Sequence, residues 1–303
     1  IILFLFSVIL SKTAIGQRLI TEQTEANVIV QQKNFASAKI NALKDAKDQV
    51  ILQAISRFID FDSMIALEPL LKIHFLEKQD IFIESIRVIS EKSSNDLSEF
   101  NIKIKTQIFR SRILATLRNL GVTILGEKIP DREVLLIYSS NSSLINKKVS
   151  LMFLKNLKYR LKPYRIKLKV VDIKDKDLPI EEGFSSRLKI LQNKESKKVN
   201  FNSGLLELKL NLSTKKPKLK KGILEAQFLF WHQNQSSDES PYNIKAKINI
   251  SLSDWNEDKL KTELLNQLMI RWTPIIRKII ELQKGTGKLI KLKFNGIKSP
   301  LEE

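Results

Sequence analysis

Between Asn34 and Asp60 the chain carries apolar residues at Phe35, Ala38, Ala42, Leu43, Ala46, Val50, Ile51, Ala54, Ile55, Phe58 and Ile59. Those spacings of three and four predict a helix with one buried face. Its N-terminal half lays down alanine at every fourth position, Ala38, Ala42 and Ala46, followed by Val50 and Ala54. Small side chains let another backbone approach closely, so the helix is expected to lie on a sheet.

The neighbouring segments supply that sheet. Thr21 to Gln32 is a polar lead into a short β-prone stretch, Val28 to Val30. Ile81 to Ile89 is rich in β-branched and aromatic residues, Ser93 to Asp96 marks a turn, and Phe100 to Lys105 alternates strictly, which predicts a hairpin with one face in water. A second helix from about Ile108 to Leu120 closes at Gly121, a natural C-cap. A helix, a hairpin and a helix make one α+β domain over residues 17–130, ending near Ile129-Pro130.

A second unit is expected over residues 131–285. Val134 to Tyr138 is a continuous apolar run of the kind a strand covered on both faces carries. A helix from about Leu144 to Leu161 and a strand from Tyr164 to Val171 complete a strand–helix–strand crossover with parallel strands. Asp172 to Asn202 is polar and reads as linker. Leu205 to Leu212, Gly222 to Trp231 and Ile244 to Leu252 then alternate as a three-strand meander. Asp254 with Glu257 offers a capping box for a long helix, Trp255 to about Leu282, kinked at Pro274. The fold class expected is α+β, two sandwich-like domains with helices packed on a mixed or antiparallel sheet. Residues 286–303 alternate again and either pair back onto an earlier sheet or begin a third domain.

Composition narrows the class of protein. With 43% hydrophobic and 28% charged residues in 303, the chain belongs with globular proteins and not with disordered ones. The run Ile1 to Leu10 is too short for a spanning helix, and with Ala14-Ile15-Gly16 before Gln17 it reads as residues 1–16 of a signal peptide whose start is missing. The mature chain is then expected in the periplasm of a Gram-negative-type bacterium, without a transmembrane helix. The absence of cysteine removes disulfides, thiolate metal sites and a cysteine lipid anchor.

The net charge of +19 is unevenly spread: residues 1–130 hold 17 Lys and Arg against 14 Asp and Glu, the remainder 35 against 19. Two basic strings stand out as contacts for an anionic surface, Lys215, Lys216, Lys218, Lys220 and Lys221 in one loop and Lys288, Lys291 and Lys293 in the last strand. No aromatic residues interleave them, so specific nucleic acid is not expected. The abundance of Lys beside Ile, Asn and Leu is also the usage of an AT-rich genome, which accounts for the charge without a partner.

Catalytic chemistry finds no foothold. His74 and His232 are isolated, with no metal-ligand spacing. Gly285-Thr286-Gly287-Lys288 lacks the first glycine of a phosphate loop and follows a helix where one should begin. Glu181-Glu182 and Asp238-Glu239 lie in polar loops with nothing to split their ionisation. No catalytic residue, cofactor or metal is expected.

The helix Ala36-Ser37-Ala38-Lys39-Ile40-Asn41-Ala42-Leu43-Lys44-Asp45-Ala46, the strand Phe82 to Glu91 and the helix ending Leu117-Arg118-Asn119-Leu120-Gly121 resemble the N-terminal domain of the flagellar assembly protein T family over Val28 to Leu125. In element order, Val134 onward is similar to that family's middle domain, which shares its fold with the N-terminal domain of the Tol-system propeller protein. The family's small third domain has no counterpart here unless residues 288–297 begin it. The resemblance implies a non-catalytic periplasmic assembly protein, possible as an oligomer, with envelope proteins or flagellar motor components as partners. The charge implies the alternative, a basic binding module for anionic envelope polymer or lipid head groups.

Overall fold

A computed structural model describes residues 19–31, 34–140, 147–172, 205–216, 221–231, 242–251 and 260–286. It is an α+β protein built on two sheets. In the first, β1 (Leu19–Ile29) and β2 (Ile83–Ser93) flank the central β3 (Glu99–Phe109), both antiparallel to it. The 22-residue helix α1 (Phe35–Ser56) lies across β1 and β3. Its cap is Asn34, whose Oδ1 accepts from the Ser37 amide at 3.1 Å and satisfies one of the unpaired donors of the first turn.

The alanine stripe meets the sheet as expected. Ala38, Ala42, Ala46, Val50 and Ala54 are buried, as are Ile20, Thr24 and Ala26 of β1 and Phe100, Ile102, Ile104, Thr106 and Ile108 of β3. The β1 face is itself lined by small residues, and the Thr24 hydroxyl donates to Gln49 Oε1 at 2.7 Å across the seam. The stretch expected to be a polar lead is therefore a full strand. Its inward positions face alanine and need no large side chain to fill the gap.

Short helices α2 (Phe61–Ala66), α3 (Glu68–His74) and α4 (Gln79–Phe82) join α1 to β2 and pack Phe75 on Phe82 with ring centroids 4.9 Å apart. The hairpin turn between β2 and β3 is held by Asp96, which accepts from Ser94 Oγ at 2.6 Å, Ser98 Oγ at 2.8 Å and the Ser98 amide at 3.1 Å. Helix α5 (Arg110–Asn119) follows β3. It ends with Gly121 at φ +79°, the Gly121 amide donating to Arg118 O and the Val122 amide to Leu117 O. This is a Schellman cap, with Val122 and Leu117 supplying its apolar contact.

The second sheet runs in the order β5-β4-β6-β7-β8. Strand β4 (Arg132–Ser140) is parallel to β5 (Ile166–Asp172) and to β6 (Leu205–Lys216), and α6 (Lys147–Leu161) lies between β4 and β5 in sequence. Strands β6, β7 (Lys221–Trp231) and β8 (Tyr242–Ser251) form the expected antiparallel meander.

The last helical segment differs from the expected kinked rod, and Asp254 with Glu257 lies outside the described residues. A wide π-turn (Leu260–Leu265) leads into α7 (Asn266–Arg271), which breaks at Trp272 before α8 (Thr273–Thr286). Pro274 has no amide for the carbonyl four residues back, so it sits in the first turn of a new helix, where no donor is required. The break lets Trp272 turn inward onto Phe228, centroids 4.9 Å apart. Helix α8 continues through Gly285, so this glycine lies within the helix.

The buried side chains of both sheets form one contiguous cluster. The segment between the halves is bonded to both: Leu125 N to Phe58 O at 2.7 Å in the first and Thr123 N to Pro163 O at 3.0 Å in the second. Gly121 faces α8 so closely that a β-carbon there would lie 2.6 Å from Ile280 Cδ1 and 2.8 Å from Ile276 Cγ2.

Two predictions follow from these packings. Gly121→Ala combines a left-handed backbone with that collision, and urea unfolding should show about 2–4 kcal/mol lost; an unchanged midpoint would mean α8 does not press on the cap. The three hydrogen bonds hold the Asp96 carboxyl down to about 2 from its ordinary 3.8. A depressed carboxylate stabilises the fold fully above its unfolded value and loses that contribution as pH falls through the folded one. Amide-exchange protection around residues 93–99 should therefore drop between pH 3.8 and about 2, and Asp96→Ala should abolish that pH dependence.

Candidate functional site

Of the lysines expected to meet an anionic surface, Lys215 and Lys216 end β6 and Lys221 starts β7, with Lys216 opposite Lys221 beyond an irregularity in the register. The two strand ends thus converge at one end of the meander. Lys218, Lys220, Lys288, Lys291 and Lys293 lie outside the described residues, as do His232, Glu181-Glu182 and Asp238-Glu239.

A different concentration of positive charge is assembled where α6 passes into β5. Pro163 stops the helix, Lys162–Tyr164 forms a single 3-10 turn, and Arg165 takes a left-handed conformation at φ +52°. Pro163 and Tyr164 point into the core, and the strand then alternates, Ile166 and Leu168 inward, Lys167 outward. Lys158, in the last turn of α6, and Lys162, opening the 3-10 turn, are four residues apart. The helix period and the strand period therefore bring Lys158, Lys162, Arg165 and Lys167 around one hollow of about 530 Å³, with Asp131 and Tyr159 at its border.

Two of these cations are already paired, Lys167 with Asp131 at 2.6 Å and Lys162 with Asp62 at 2.8 Å. The hydrogen bond from Lys167 holds Asp131 below the usual carboxylate range and raises Lys167 itself; Asp62 raises Lys162 in the same way. Among the described residues Lys158 and Arg165 make no ion pair. The hollow thus keeps two cations outside any ion pair, beside a carboxylate that is a poor proton acceptor. That arrangement can hold an anion and is unsuited to general-base chemistry.

The scaffold beneath it is rigid. Arg132, 6% exposed, donates to the Tyr164 carbonyl, and its own amide donates to Arg165 O at 2.7 Å. Burial lowers the Arg132 guanidinium and raises the Tyr164 phenol. Arg160 reaches the other way, donating to Ile65 O, to Ala66 O at 2.7 Å and to Asn266 Oδ1 at 3.0 Å. Residues 158–169, KYRLKPYRIKLK, hold six cations and no acid. That composition is the signal in the sequence, and it is diffuse because the cations straddle a helix, a turn and a strand instead of one loop.

A second concavity of about 500 Å³ runs between α1 and the α2–α3 pair. Leu52, Met64, Ile65, Leu71 and Leu76 give it an apolar floor, and Lys44, Glu68 and Lys72 stand on its rim. Asp48 accepts from Gln79 Nε2 at its inner end, and burial pushes this carboxyl up. His74 is half-buried at the end of α3, lowered by burial and by nearby Lys78 and Arg277. Among the described residues no three His, Asp or Glu side chains converge on a metal position, and no helix is long and apolar enough to cross a membrane.

Comparison with known proteins adds little to this geometry. No family model matches the chain, and no curated protein matches it. Among solved structures, it aligns with prolyl-tRNA synthetase from Cryptosporidium parvum complexed with L-proline and AMP at 9% identity and a TM-score of 0.17, over 65% of this chain and 33% of that one. The chain spans about a third of that enzyme's length, and the likeness is too slight to bear on fold or activity.

Arg160 ties α6 to α2 and α7, so it positions the hollow. Arg160→Met should lower unfolding stability by about 1.5–3 kcal/mol, and Arg160→Lys should restore less than half, because one ammonium cannot span three acceptors. Equal stability of Met and Lys variants would show that packing of the stem, not the forked donors, is what matters.

Proposed function

We propose that this chain is a non-catalytic binding protein of the cell envelope that docks on phosphate-bearing lipid head groups through the hollow at the α6–β5 turn. The observation that carries this reading is the four-to-one excess of cations over carboxylates around that hollow, with Lys158 and Arg165 outside any ion pair. A shallow site on a rigid turn suits head groups presented by a surface, and each Lys or Arg brought close to an anionic membrane contributes about 1 kcal/mol. The lysine-bearing ends of β6 and β7 would add to such an attraction without being required for it.

The test is sedimentation of the chain with vesicles of phosphatidylglycerol and phosphatidylcholine against phosphatidylcholine alone. Binding should appear only with the anionic lipid and fall with added salt. Lys158→Gln and Arg165→Asn should each weaken it roughly fivefold; asparagine suits the left-handed position of Arg165, so the turn should survive. Equal binding to both vesicle types, or indifference to both substitutions, would sink the proposal.

A second reading is an assembly component of the envelope, in line with the resemblance to the flagellar assembly protein T family. The apolar groove between α1 and the α2–α3 pair favours it, since an apolar floor with a charged rim suits a partner's side chains. Recovery of one defined envelope complex that resists salt washing would support this reading over the first.

A further inference from the structure

Among the described residues four strands form the edges of the two sheets, and three of them carry features that discourage further pairing. Strand β2 has two register irregularities and bears Arg87 and Lys92. Strand β5 bears Lys167 and Lys169, and β8 bears Lys245 and Lys247. Bulges and edge lysines are the usual means by which proteins block unwanted strand addition. Strand β1 has no bulge and no lysine, and its one inward charge, Glu22, is neutralised within the chain by Arg57. It runs eleven residues, LITEQTEANVI, in unbroken register with β3 and contains no Lys, Arg, Pro or Gly. Among the described residues no strand lies on its other side.

Among the described residues a polar groove of about 440 Å³ lies between Ser37, Asn41 and Asp45 of α1 and the end of β1 at Asn27 to Ile29. Ile29, at 71% exposure, stands at the same end.

We propose that two copies of this chain pair antiparallel through β1, forming one six-stranded sheet about a two-fold axis at Thr24. The sequence of the strand selects this register. Opposed residues must share a face, so a one-residue slip would turn the buried set outward. Among the face-preserving registers, the one centred on Thr24 pairs all eleven residues. It sets Leu19 against Ile29 and Thr21 against Asn27 on the outer face, with Gln23 against Glu25. On the helix face it sets Ile20 against Val28 and Glu22 against Ala26. No like charges are opposed, whereas centring on Glu22 or Glu25 would oppose a carboxylate to itself. Glu22 is already held by Arg57 at 2.7 Å within its own chain. The edge also belongs to the half of the sequence with nearly balanced charge, where two strongly basic chains repel each other least. The inference stands apart from the lipid-binding reading, since the hollow lies on the other sheet.

Analytical ultracentrifugation of the full chain over a range of concentrations tests the pairing, with Gln23→Glu and Gln23→Lys as probes. Within one chain Gln23 lies opposite Lys105, so Gln23→Glu gains a favourable neighbour and should keep its melting temperature. In the dimer the same change opposes a carboxylate to Glu25 twice and should raise the dissociation constant roughly two- to thirtyfold. Gln23→Lys should lower it despite the less favourable neighbour Lys105. A monomer at every concentration overturns the proposal. So does a dimer whose constant is the same for all three proteins, because the interface then lies elsewhere.

Discussion

The close approach of α1 to β1 and β3 is the contact on which the first half is built. Alanine on the helix and small side chains on β1 bring two backbones together, and the dispersion gained over that seam grows as the gap closes. Large residues then fill the other side of the seam, Val50, Ile51 and Ile55 on the helix and Phe100, Ile102, Ile104 and Ile108 along β3. Thr24 and Gln49 satisfy each other in the middle. A larger side chain on the stripe would lift the helix and leave the isoleucines of β3 short of contacts.

The second half depends on the first through a small set of contacts at the end of α5. The Schellman cap turns the chain under α8, and only glycine fits beneath Ile276 and Ile280. From there the backbone of residues 123–125 bonds to both sides of the junction. Arg160 and Lys162 then tie the end of α6 to α2. The turn carrying the basic hollow is thereby fixed from beneath by Arg132, Pro163 and Tyr164, and from the side by the first half of the chain. Its charge is exposed, and its backbone is braced.

Much of this was legible in the sequence, for reasons that also explain the misses. Helix α1, the hairpin, the Gly121 cap and the β6–β8 meander announce themselves because their apolar residues recur at 3.6 or 2 and their turns carry the expected residues. Strand β1 hid because its inward side is Glu22, Thr24 and Ala26, which look polar until a helix of alanines lies on them. Helices α2 to α4 are too short for periodicity to emerge. The break at Trp272 required knowing that an indole would find Phe228. The basic hollow is spread over three kinds of local structure, so its composition is visible in residues 158–169 while its convergence depends on the left-handed turn at Arg165.

The order of strands in the first sheet also governs how it can form. Strand β3 is central, yet it is the last of the three along the chain, and β1 finds its register there some eighty residues after it begins. Until β3 exists neither outer strand has a partner, and closing so long a loop is entropically slow. The sheet cannot grow strand by strand from its first member. Strand β1 can join only once β3 is in place, so the rate of that closure sets how long the unpaired strand stays open to other chains.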